Sequence, residues 1–132
     1  MSEVFLQKSI LPLVVNDVIA WHVQHGWVFN AVAADGRGIG VVYVTLLGGD
    51  GCVVHFEILP GVTLSEIRSG FGKAFCLLAP VGRLLATVKP ERKSLIKLLE
   101  RFGFERIAGG KKVLLQFNEE SKWYLKIKKK GY

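Results

Sequence analysis

The stretch Val53-Val54-His55-Phe56-Glu57-Ile58-Leu59-Pro60-Gly61-Val62-Thr63-Leu64-Ser65-Glu66 changes its period in the middle, and that change decides the fold. Before Pro60 the residues are apolar and β-branched, with His55 and Glu57 on one face of an extended segment and Phe56 and Ile58 on the other. Pro60 and Gly61 stop the strand, because proline has no amide to give a ladder and glycine punctuates it. Thr63 followed by Glu66 has the form of a capping box, in which hydroxyl and carboxylate satisfy first-turn amides reciprocally. From there Leu64, Ile67, Phe71, Ala74, Phe75 and Leu78 recur every three or four residues, one stripe of a helix that Pro80-Val81-Gly82 ends. Gly70 and Gly72 each weaken this helix by about 1 kcal/mol relative to alanine, so another element is expected to approach closely there.

Working outward, residues 28–34 and 39–47 are apolar and β-branched, and Asp35-Gly36-Arg37 between them is hairpin chemistry. Gly48-Gly49-Asp50-Gly51 turns the chain again, so three antiparallel strands in meander order are expected. Upstream, Ser9 as cap, Pro12 in a first turn and Val14, Val18 and Trp21 on one face predict a helix over 10–25, ended by Gly26. Downstream, Arg83 to Val88 reads as a short strand and Pro90 opens a helix near Glu91. Leu95, Leu98, Leu99 and Phe102 form its buried face, and Gly103 is a left-handed cap. Residues 104–108 and 112–118 flank Gly109-Gly110 as a last hairpin. The result is a mixed sheet with helices packed on it.

The 132 residues, half of them hydrophobic, fit one domain with a sizeable core and exclude a disordered chain. No stretch approaches the roughly 18–20 apolar residues of a membrane span, and Met1-Ser2-Glu3-Val4 lacks the basic start of a secretory leader. Cys52 and Cys76 match no disulfide framework, so a reducing, cytoplasmic setting is expected. Eighteen Lys and Arg oppose eleven Asp and Glu, for a formal charge of +7, and the excess is local. Residues 121–132 hold five lysines and no acid, and without them the chain carries only +2. This divides the protein into a single domain over 1–120 and a basic C-terminal tail over 121–132. The tail reads as a solvated terminal strand or as a phosphate-seeking segment whose Trp123, Tyr124 and Tyr132 would stack on bases. A second basic concentration runs from Arg83 to Lys112. His22 and His25 sit three apart, but no third ligand lies near, so they read as surface or cap histidines and no metal is expected.

The segment Arg92-Lys93-Ser94-Leu95-Ile96-Lys97-Leu98-Leu99-Glu100-Arg101-Phe102-Gly103-Phe104 resembles the last core helix of the GNAT superfamily of N-acyltransferases. The Val54-His55 pair followed by Leu59-Pro60 is similar to a divergent, bacteriophage-encoded GNAT-like branch. The resemblance spans about residues 28–118. It implies an α+β fold with a mostly antiparallel twisted sheet and helices on both faces. It also implies that the fourth strand splays from the fifth, with acetyl-CoA's pantetheine arm in the gap beside Ile58 and Leu59. The pyrophosphate would then meet the amides of Gly61, Val62, Thr63, Leu64 and Ser65, with charge added by Arg68, Lys73 and Arg92.

On that resemblance Glu57 occupies the place of a general base, and His55 on the same face is either its partner or a hydrogen-bonded structural residue. The family's phosphate loop has its nearest text in Arg68-Ser69-Gly70-Phe71-Gly72-Lys73, inside the helix; Gly36-Arg37-Gly38-Ile39-Gly40 precedes a strand and reads as a hairpin. Leu99 stands where the family usually carries the tyrosine that reprotonates the thiolate. Three functions follow: acetyl transfer from acetyl-CoA to an unidentified amine, a catalytically silent copy working in phage assembly or host interaction, and a basic nucleic-acid-binding module.

Overall fold

The computed structural model describes residues 3–48 and 51–129, the side chains of 127–129 excepted. The two turns read from the sequence produce the expected meander. Strand β1 (Val4–Lys8) and helix α1 (Asp17–His25) lead into β2 (Trp27–Ala33), β3 (Gly38–Leu46) and β4 (Gly51–Ile58). β2, β3 and β4 pair antiparallel, with Gly36 at φ +90° turning the first hairpin. β1, which the sequence did not disclose, adds antiparallel to β2 with Val4 opposite Ala33.

The helix expected over 10–25 starts only at Asp17. Asn30 of β2 explains the delay: its side-chain oxygen accepts from the Leu13 amide at 2.9 Å, and its amide nitrogen donates to the Leu11 carbonyl at 3.1 Å. That clamp holds residues 11–13 out of helical geometry. Asn16 then caps α1, its side-chain oxygen accepting from the Ile19 amide.

Helix α2 (Leu64–Leu78) begins where the capping box predicts, with both reciprocal bonds formed between Thr63 and Glu66. A 3-10 turn follows over Ala79–Val81 and feeds β5 (Arg83–Val88). Helix α3 (Lys93–Arg101), Gly103 at φ +102°, β6 (Phe104–Ala108), β7 (Val113–Phe117) and α4 (Lys122–Lys129) complete the chain. The sheet runs β1-β2-β3-β4-β5-β7-β6, antiparallel everywhere except between β4 and β5.

One face of the sheet carries an aromatic core of Phe71, Phe75, Phe102, Phe104, Phe117 and Tyr124 beneath α2, α3 and α4. The other face is covered by α1, whose Ile19 packs on Val28 and Val41. The close approach expected at the helical glycines is only ordinary contact: a Cβ on Gly70 would meet Val4 at 3.7 Å and one on Gly72 would meet Trp123 at 3.5 Å, so alanine fits at either position.

The segment expected as a terminal strand is helical over Lys122–Lys129. Trp123 lies edge-on to Phe102, with ring centroids 4.8 Å apart, and Tyr124 is 6% exposed. Tyr124 is buried in the core and Trp123 packs against it while still bordering a surface groove; Tyr132 falls outside the described residues.

Candidate functional site

The parallel ladder between β4 and β5 is three pairs long: Gly51 with Arg83, Cys52 with Leu84, and Val53 with Leu85. Beyond Val53 and Leu85 the strands part, although β4 stays paired to β3 as far as Ile58 and β5 to β7 as far as Val88. A cleft of about 420 Å³ opens between them. Strand alternation lines it from both faces of the sheet. Val54, Phe56, Ala86 and Val88 belong to the face under α2 and α3, while Tyr43, His55, Glu57 and Thr87 belong to the face under α1.

The sequence candidates divide in space. His55, Glu57, Ile58 and Arg92 line the cleft. Leu59 turns instead toward Leu13 beside Gly38. Arg68 borders a separate groove with Leu98, Arg101 and Trp123, and Lys73 reaches Glu3 at 3.6 Å and the Phe5 ring. Neither of these two helical cations joins the cleft. Leu99, 1% exposed, forms part of the cleft wall.

The helix start that follows β4 is partly filled by the protein itself. Glu66, 4% exposed, accepts from the Thr63 amide at 3.0 Å and from the Thr63 hydroxyl at 3.1 Å. It also pairs with Arg37 from the β2–β3 turn. The Arg37 hydrogen bond and the Thr63 amide together hold its carboxyl down from 4.5 to about 2, so it is an anion at any ordinary pH. The amides of Gly61, Leu64 and Ser65 have no protein partner among the described residues, while Val62 closes the turn over Pro60 and Gly61. They remain donors for an incoming anion, next to a carboxylate already neutralised by Arg37. The Arg37 stretch that looks like a phosphate loop therefore works as a hairpin, as its position before β3 predicts.

On the α1 face the sequence reading missed a polar cluster. His22, read as a surface or cap histidine, is 6% exposed. Its Nδ1 contacts the Val18 carbonyl at 2.7 Å and its Nε2 contacts Thr45 Oγ1 at 2.7 Å. Thr45 Oγ1 in turn contacts His55 Nε2 at 3.2 Å. The Tyr43 ring stacks on His55, with centroids 4.8 Å apart. Burial, then the neighbouring His22 ring and Lys112, push the His55 pKa below its ordinary value and favour the neutral ring. Burial and Glu57 push the Tyr43 phenol up, so it stays protonated. The β3–β4 hairpin supplies the signal that would have disclosed the cluster: its register sets Tyr43 opposite His55, and Thr45 is the next residue on the same face. Lys89 and Lys112 add two more cations to the cleft rim.

No group of three or more histidine, cysteine or acidic side chains suited to a metal forms among the described residues. No described helix is long and apolar enough to cross a membrane.

A seven-stranded, mostly antiparallel sheet that splits between its fourth and fifth strands, with helices on both faces, is the GNAT acyltransferase fold. Three solved structures mark how closely. A GNAT family acetyltransferase from Elizabethkingia anophelis, with acetyl-CoA bound, superposes with a TM-score of 0.68 over 88% of this chain and 98% of its own, at 12% identity. A nucleotide-linked sugar GNAT gives 0.73 over 97% and 92%, at 10% identity. A spermidine/spermine N-acetyltransferase from Vibrio cholerae gives 0.62 over 86% and 90%, at 14% identity. No protein-family model and no curated relative matches the sequence.

Proposed function

We propose that the chain is a GNAT-type N-acetyltransferase that moves an acetyl group from acetyl-CoA to an amine. The observation that carries this reading is the parting of β4 from β5 after Val53 and Leu85, which frees one main-chain edge on each side of a cleft. An extended arm rich in amides fits such a gap because it pairs with exposed peptide groups as an added strand does. Acetyl-CoA, when bound, supplies the activated acyl thioester. Ile58 would flank its arm, whereas the Leu59 side chain turns away toward Leu13, and the amides of Gly61, Leu64 and Ser65 would meet its pyrophosphate. The Thr63 amide, already given to Glu66, contributes through the cap instead. Arg92 adds charge from the cleft wall, whereas Arg68 stands apart. Glu57 and His55 present proton acceptors to the amine from the α1 face.

The proposal places the protein in the cytoplasm and in the bacteriophage-encoded branch, on the pattern from Val54-His55 to Leu59-Pro60. Calorimetric titration with acetyl-CoA tests it. A saturable heat and a rising melting temperature are expected, since a ligand that binds only the native state stabilises it. No heat and an unmoved melting temperature up to millimolar concentration would refute the reading. One observation favours a second, non-catalytic reading as an assembly or host-interaction protein: Leu99, with no proton to donate, fills the wall position where the family carries its tyrosine. Under that reading binding survives without release of CoA for any amine.

A further inference from the structure

We propose that His55 Nδ1 is the proton acceptor of the cleft, and that Thr45 and His22 are positioning residues that fix its tautomer. The inference rests on the acyl-transfer reading and deepens it.

Hydrogen-bond direction leaves one arrangement for the neutral cluster. The Val18 carbonyl can only accept, so His22 Nδ1 carries a hydrogen and donates to it. The neutral His22 ring then has a lone pair at Nε2, which accepts the one hydroxyl hydrogen of Thr45. With its hydrogen committed, Thr45 Oγ1 accepts from His55, so His55 is protonated at Nε2. The lone pair of His55 is therefore at Nδ1. That nitrogen has no hydrogen bond among the described residues, and no buried side-chain nitrogen or oxygen lacks a partner, so Nδ1 is open to the cleft that His55 lines.

An ammonium in the cleft gives its proton to His55 Nδ1, and the N–H bond broken on the amine is matched by the one formed on the ring. His55 keeps its Nε2 hydrogen on Thr45 Oγ1, whose own hydrogen His22 Nε2 holds in place. The charged and titratable groups facing His55 are His22 from α1, Tyr43 from β3, Glu57 along β4, and Lys112 beside β7. Of these, His22 and then Lys112 oppose a cation at His55, so the ring returns its proton readily.

The test is a 15N-imidazole NMR titration of the full chain and of Thr45→Val and Thr45→Ser. In the wild type the His55 resonances should report a protonated Nε2 and a bare Nδ1, and those of His22 a protonated Nδ1. Thr45→Val should leave His55 as a mixture of both tautomers, while Thr45→Ser restores the single form. At saturating acetyl-CoA, CoA-thiol release with glycine as the acceptor amine should fall at least tenfold in Thr45→Val and recover in Thr45→Ser, with acetyl-CoA affinity unchanged within twofold. A wild-type His55 protonated at Nδ1, an unaltered tautomer in Thr45→Val, or thiol release unchanged by it would overturn the inference. If no variant and no wild type binds acetyl-CoA, the functional reading fails while the tautomer result still decides the hydrogen-bond chain.

Discussion

Thr63→Ala is the substitution whose outcome the structure fixes most tightly. It removes the hydroxyl that accepts from the Glu66 amide at 3.2 Å and donates to Glu66 Oε1 at 3.1 Å, but keeps the Thr63 amide on the same carboxylate. Loss of a helix N-cap alone costs about 1 kcal/mol. The second bond lost is to an ionised partner, so a total of about 2 kcal/mol follows. For a chain of this size that lowers the melting temperature by roughly 5–10 °C. Thr63→Ser, which keeps the oxygen, should stay within about 0.5 kcal/mol of wild type. Scanning calorimetry at pH 7 reads both.

The pH dependence of Glu66→Gln supplies an independent check. The native carboxyl is held near 2 against an ordinary 4.5, so the folded state binds fewer protons between those values. Its stabilisation is complete above about pH 4.5 and disappears as the pH falls through about 2. The stability gap between wild type and Glu66→Gln should therefore close across that window. A gap that stays constant with pH, or a Thr63→Ala protein as stable as wild type, would refute the account of the α2 start.

Gly40→Ala would place a Cβ against the Glu57 carbonyl oxygen, between β3 and β4, so it should destabilise by about 1–3 kcal/mol in urea titration. Wild-type stability in that variant would show that the strands can separate without cost. Among the described residues Lys89, Arg92 and Lys112 oppose Glu57 as the one acid lining the cleft, so amines that carry a carboxylate or phosphate should support CoA release better than spermidine. A thiol-release assay in which spermidine is preferred would reverse that charge argument. Ending the chain after Glu120 should lower the melting temperature by more than about 10 °C, because Trp123 and Tyr124 leave Phe75, Phe102 and Phe117. An unchanged melting temperature would make α4 an ornament on the surface.

The elements from β2 to β7 were legible because each is bounded by local chemistry: Asp35-Gly36-Arg37, Pro60-Gly61, the Thr63 cap and Gly103 all act within a few residues. β1 and the true start of α1 were not, since both depend on partners far along the chain, Ala33 for Val4 and Asn30 for Leu11 and Leu13. The basic composition of residues 121–132 suggested a tail because the two inward aromatics of a short helix are hidden among lysines. For the site, the shared face of His55 and Glu57 followed from strand alternation, whereas the parting of β4 from β5 after Val53 was implied by the family resemblance alone. His22 and Thr45 joined them only through β3–β4 register and the packing of α1, which no spacing within either segment displays.

The short parallel seam between β4 and β5 also has a mechanical side. It ties two leaves of sheet, one of four strands and one of three, along a spine only as long as residues 51–53 and 83–85. Gly51 sits in that spine so close to the Arg83 carbonyl that any side chain there would pry the leaves apart. The continuous core beneath α2 joins the same two leaves from one side, so the mouth stands open while both hairpin stacks stay fastened.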